Sequence, residues 1–153
     1  MAPVIYAALV VVHAGLATVW LGGMAYSLTV VQPKVARFFA DDDDRHEEFV
    51  ALIAQGNRWK VIALIVALAG TGVALWAMDD FEHTAAILVK AGLLAIATAI
   101  FWYVSWRHWP RRVFALPEER PAMRHQLRML ASTMTVLVGA AFVIGVSASV
   151  SGH

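Results

Sequence analysis

Four long apolar stretches govern what this chain can fold into. They run from about Val4 to Val31, Val61 to Met78, Ala85 to Trp106 and Leu130 to Val150. At about 1.5 Å of rise per residue, each is long enough to cross a hydrocarbon layer about 30 Å thick. Inside lipid, every backbone N–H and C=O has to find its partner within the segment. Each stretch is therefore expected to be an α-helix, and none shows the alternation of a membrane barrel strand. Composition agrees: the 153 residues are 60% hydrophobic and 15% charged, and the mean hydropathy is +0.66. A soluble domain carries about 25% charged residues, so a soluble globular enzyme is excluded. The expected fold is all-α: one transmembrane domain, 1–153, folded as an up-down-up-down four-helix bundle in contact with the lipid bilayer. The absence of cysteine excludes disulfides, iron–sulfur clusters and thiolate metal sites. A net charge of +1 leaves no footprint for a nucleic acid.

Charge sets the expected orientation. Lys34, Arg37, Arg45, Arg58 and Lys60 lie between stretches 1 and 2. Arg107, Arg111, Arg112, Arg120, Arg124 and Arg128 lie between stretches 3 and 4, and only Lys90 stands elsewhere. The positive-inside rule then makes both long loops cytoplasmic and both termini external, in a multi-pass protein of the bacterial inner membrane. No basic residue precedes the first stretch, which reads as a retained helix and not a cleaved signal peptide. Trp59, Trp106 and Trp109 fall at the inner interface, and Tyr6, Trp76 and Phe81 at the outer one. Small residues recur as Ala91/Ala95/Ala99 and Ala141/Gly145/Ser149, stripes that let helix backbones approach closely in lipid. The acidic run at 41–48 reads as a solvated loop that offsets nearby arginines.

Two ionisable residues lie well inside the apolar stretches, His13 and Lys90. Such groups are costly in lipid, about 2.5–3.5 kcal/mol or more when charged, and so mark function by default. Helix rise puts His13 about 14 Å and Lys90 about 8 Å below the outer surface. His13 reads either as a neutral histidine hydrogen-bonded to a neighbouring helix or as a ligand for heme iron or copper. Lys90 either snorkels to the interface or points inward to a carboxylate such as a heme propionate. His83, seven residues before Lys90, shares nearly the same helix face. His108 and His125 read as solvated helix ends near the inner surface, and His46 belongs to the acidic run. No second histidine matches His13 in depth, which argues against a bis-histidine heme. Met24, Met78, Met129 and Met134 are scattered and form no ladder for copper(I), so packing is their expected role.

Helix 1 also carries a recognisable pattern. In HAGLATVWLGGMAY, His13, Trp20, Gly23 and Tyr26 follow an H-x6-W-x2-G-x2-Y spacing. This resembles the first helix of the HemJ family, membrane proteins associated with heme b and protoporphyrinogen oxidation. The same helix, with WLGG followed by Pro33, resembles the CopD family of copper-transport proteins. Arg58 followed by Gly72 matches the arginine-to-glycine spacing of HemJ-like second helices, and Lys90 in ILVKAGLLAI looks like the lysine of the third helix in both families. The resemblance covers helices 1 to 3. It implies a heme b ligand at His13, with Trp20 and Tyr26 beside the cofactor and Arg58 and Lys90 as partners for porphyrin carboxylates. Three readings follow. The chain binds heme b in a redox or porphyrin-related role; or it is a non-catalytic accessory subunit of a larger, respiratory-type membrane complex or a homo-oligomer; or it binds or transports copper.

Overall fold

The computed structural model describes residues 2–79 and 84–151, with side chains at 3–79 and 84–147, and is all-helical over them. Helix α1 (Ala2–Tyr26) passes through a π-helical turn, Ser27–Val31, into α2 (Gln32–Phe38). Helix α3 (Asp43–Ala54) leads into α4 (Asn57–Met78). Helix α5 (Thr84–Tyr103) passes through a second π turn, Val104–His108, into α6 (Trp109–Val113), and α7 (Arg120–Ser151) completes the chain. Four helical units are each long and apolar enough to cross a membrane: Pro3–Phe38, Asp43–Met78, Thr84–Val113 and Arg120–Ser147. Residues 80–83, with Phe81 and His83, lie outside the described residues, as does His153.

Two of these units run past the ends expected from apolarity, and proline explains how. Proline lacks an N–H, and its ring collides with the carbonyl four residues back. Pro33 and Pro110 each stand two residues beyond a π turn, where a widened i→i+5 bond shifts the register ahead of the ring. The helices continue through both prolines, to Phe38 and Val113, instead of ending at Val31 and Trp106. The acidic run is likewise not a loop. Asp42 accepts the Arg45 N–H at 3.0 Å as an N-cap, and Asp43 and Asp44 occupy the first turn of α3, where the helix dipole favours anions. Helix α7 starts at Arg120, ten residues earlier than its apolar stretch, with Pro121 beside its start. Between α3 and α4 the chain turns at Gly56, whose φ of +75° is left-handed and costs a side-chain-bearing residue about 1–2 kcal/mol.

The core lies where α1, α4, α5 and α7 meet. Trp20, Leu68, Ala97, Phe101, Met134 and Val138 are buried there, with Leu16, Met24 and Ile65 among those packed against them. Helix α5 packs chiefly on α7, and α1 packs on α4 and α7. Helices α4 and α5, though consecutive, meet much less than α5 does with α7 or α1 with α4, so that side of the bundle is loosely closed. Ala97 is fully buried in α5; a methyl side chain there permits close approach. The Ala91/Ala95/Ala99 stripe is exposed and faces away from the bundle. Those alanines sit on the wrong arc of α5 for the contact expected of them. Thr18, Thr29, Thr98, Thr133 and Thr135 each donate to the carbonyl four residues back, so these five hydroxyls are satisfied within their own helices.

Candidate functional site

Two polar centres stand at opposite ends of the bundle. The first is built around His13. Its Nδ1 lies 2.7 Å from Oγ1 of Thr71 on α4. The Thr71 hydroxyl itself donates to the Ala67 carbonyl at 2.8 Å, with the Leu68 carbonyl at 3.2 Å. A hydroxyl has one proton, so toward His13 it accepts and Nδ1–H donates. The imidazole is thereby held in the tautomer whose free lone pair is on Nε2. That nitrogen has no hydrogen-bond partner among the described residues and is not sealed from its surroundings. Gly72 makes the room: a Cβ there would lie 3.3 Å from His13 Cε1.

Lys90 reaches the same region from α5. Its side chain lies across Gly145 of α7, where an added Cβ would meet both Cδ and Nζ at 3.9 Å. Both intramembrane ionisable residues thus rest against a glycine of a facing helix, and both glycines are positions that the sequence patterns include. Trp20 is 4% exposed and belongs to the core; it packs the helices together. Tyr26 is 61% exposed and faces outward.

Arg58 does not join them. It donates through Nη2 to the Ser105 carbonyl and stacks 4.6 Å over the Trp106 ring. The π turn explains this contact. The Trp109 N–H bonds to Val104 O, and Pro110 has no N–H, so the Ser105 carbonyl loses both of its usual helical donors. Arg58 supplies the missing one. From Arg58 to Thr71 is about 20 Å along α4, and from Lys90 to Trp106 about 24 Å along α5. The two residues therefore stand too far apart to hold the same porphyrin carboxylate.

The second centre is at the basic end. Glu47 on α3 accepts from Arg112 Nε at 2.8 Å and Nη2 at 3.0 Å, a two-pronged pair on a guanidinium that is almost fully buried. Arg120 donates to Asp43 and Asp44, and Arg124 to Asp43. The acidic run therefore does offset the arginines of the later segment. Burial pushes the Glu47 carboxyl up, but the Arg112 hydrogen bonds and charge outweigh it and hold the group below its usual value. The Arg124 hydrogen bond likewise depresses Asp43. His46 is buried with Nδ1 3.3 Å from Glu47, edge-on to Phe39. His108 is 1% exposed, beside α7 at Met123. Neither histidine is the solvated residue its sequence position suggests. Their burial depends on α3 folding back onto α6 and α7, which no local pattern encodes; the charge balance between the two segments was the available signal.

Among the described residues no three His, Cys, Asp or Glu side chains cluster to hold a metal ion. Heme demands less of a protein, because the porphyrin supplies four donors and one imidazole completes the attachment. His13 fits that requirement by its tautomer and its accessible Nε2. Comparison with models of known protein families, with curated proteins and with solved structures gives no match for this chain.

Proposed function

We propose that this chain is a heme b-binding membrane protein with a redox or porphyrin-related role, attached to the cofactor through His13 Nε2. The observation that carries the reading is the hydrogen bond from His13 Nδ1–H to Thr71. Metal-ligating histidines almost always donate their other ring N–H in this way, which fixes the ring and raises its basicity. Bound there, the heme would supply the electron or porphyrin chemistry. Thr71 orients the imidazole, Gly72 leaves its edge uncrowded, and Lys90 offers an ammonium to a porphyrin carboxylate. Trp20 holds α1 in the core two turns further along the same face. Arg58 belongs to the other end of the molecule and has no part in this site. In this reading the bundle runs up-down-up-down, with both termini outside and the basic end in the cytoplasm of a bacterial inner membrane.

The absorption spectrum of the purified protein tests the proposal. A Soret band that changes on reduction is expected, and His13→Ala should insert normally yet lose it. If the variant keeps the wild-type spectrum and heme content, His13 is not the ligand. A second reading, an accessory subunit of a larger membrane complex, is favoured by the outward Ala91/Ala95/Ala99 face, onto which another helix can pack closely. Heme binding and that role are compatible.

A further inference from the structure

At the basic end a groove of about 890 Å³ lies between α3 and the start of α4 on one side and the end of α5 with its π turn on the other, within the roughly 300–1,000 Å³ range of small-molecule sites. Its apolar walls include Phe49 and Leu52 of α3 and Phe101 and Val104 at the far side. Arg58 lines it, half-buried. Arg112, Arg120 and Arg124 each pair with a carboxylate at this end, and Arg45 on the rim pairs with Asp42. Arg58 has none among the described residues; of its five N–H donors, the Nη2 group serves Ser105. Glu48, which also borders the groove, is exposed to solvent on α3.

Two further features carry unmet donors to the same place. Helix α4, 22 residues long, begins at the groove after Gly56 with no side-chain cap, so its first N–H groups lack partners and its dipole attracts an anion. Ser105, only 8% exposed, also lines the groove, and its hydroxyl makes no hydrogen bond among the described residues. We infer that the groove holds one glycerophospholipid, its phosphate against Arg58 and the first turn of α4, its acyl chains against the apolar walls on the loosely closed α4–α5 side. A free anion would satisfy the donors but leave the apolar walls unfilled. Trp59 and Trp109 border the groove, as tryptophans do at headgroup level. Basic pockets between membrane helices recognise lipid headgroups by the same chemistry. This inference is independent of His13 and of any heme.

Native mass spectrometry of the full chain in detergent, titrated with dioleoylphosphatidylglycerol, tests it. The wild type should retain one lipid more tightly than any further ones. Arg58→Gln should weaken that first adduct by about tenfold, the effect expected for losing a charge-assisted hydrogen-bonded partner, and Arg58→Lys by less. Lys60→Gln, two residues away and outside the groove, should leave it unchanged. Because Arg58 also braces the π turn, Ala51→Trp provides a second variant that fills the groove without touching the guanidinium, and it too should lose the adduct. Retention in inorganic phosphate supports a lipid, and displacement by phosphate overturns it. Wild-type retention in both Arg58→Gln and Ala51→Trp would also overturn it, as would equal loss in Lys60→Gln.

Discussion

His13 Nδ1 and Thr71 Oγ1 meet 2.7 Å apart across the α1–α4 interface, and the Thr71 proton is already engaged with the Ala67 carbonyl. The pair therefore works in one direction only, with imidazole donating. Thr71→Val keeps the shape and removes the acceptor. It should reduce heme affinity about 10- to 100-fold, the usual cost of losing such an orienting partner, while costing only about 0.6 kcal/mol of bundle stability. Thr71→Ser should retain both. Heme-to-protein ratio and denaturation in mixed micelles measure the two effects separately, and an unchanged ratio in Thr71→Val would remove Thr71 from the site.

Gly72 and Gly70 provide a matched pair on α4. A Cβ at position 72 would press on His13 Cε1 at 3.3 Å, whereas one at position 70 meets nothing within 4 Å. Gly72→Ala should displace the imidazole and destabilise the α1–α4 contact by about 1–3 kcal/mol, the cost of overpacking. Gly70→Ala should be neutral or slightly stabilising, since alanine is the better helix former. Unfolding of the two variants side by side decides this, and equal effects would contradict the close approach.

The helices and the intramembrane residues were legible in the sequence because each has a physical signature confined to one segment. Apolar length alone marks the four spans, and the rarity of charge in lipid singles out His13 and Lys90. What was illegible depends on partners distant in sequence. Nothing local to His13 announces Thr71, which lies 58 residues away. Arg58 resembles a cofactor contact until the π turn and Pro110 are seen to strand the Ser105 carbonyl. The acidic run reads as a loop because its arginine partners on α6 and α7 join it only in the folded chain; its cap at Asp42, which accepts from Arg45 three residues on, was the local signal that it starts a helix.

The Glu47–Arg112 pair should dominate the stability of the basic end. Removing one member of a buried pair leaves the other uncompensated and costs about 3–5 kcal/mol. Glu47→Gln should approach that range, although Glu47 keeps some solvent contact and Arg112 also lies over Trp109. Asp44→Asn, on a carboxylate whose side chain is 87% exposed, should change stability by no more than about 1 kcal/mol. Glu47 and Asp43 lie in α3, before the apolar part of their span, and both are held below their usual carboxyl values. A depressed carboxyl stabilises the fold above its unfolded-state pKa, and the contribution is lost as pH falls through the folded-state value. Docking of α3, followed by a fluorophore at Ile53→Cys, should therefore be insensitive to pH near neutrality and weaken in acid, below the ordinary carboxyl range. Loss of docking on raising the pH from neutrality would contradict the ion-pair account.

The proposed orientation has its own test in single cysteines. Asp41→Cys, at the start of the acidic run, should be shielded from an impermeant thiol reagent in intact cells and react only after permeabilisation. Met78→Cys, at the opposite end of α4, should react in intact cells. The reverse pattern would invert the topology while leaving the bundle itself intact.

Lys90 lies across Gly145 with its ammonium in the same part of the bundle as His13. If that charge served only to reach the interface, replacing it would be silent for any cofactor. Lys90→Met keeps an unbranched apolar stem and removes a charge that is expensive in lipid, so the bundle should become no less stable. Heme retention should nevertheless fall, because the porphyrin carboxylate loses its partner. Gly145→Val separates position from charge: its side chain would press on Lys90 Cδ and Nζ, displacing the ammonium without neutralising it. The two variants should share the retention defect, with Gly145→Val alone losing stability. Normal heme content in both, measured by pyridine hemochrome against protein, would assign Lys90 to snorkelling and leave His13 as the sole polar anchor of the site.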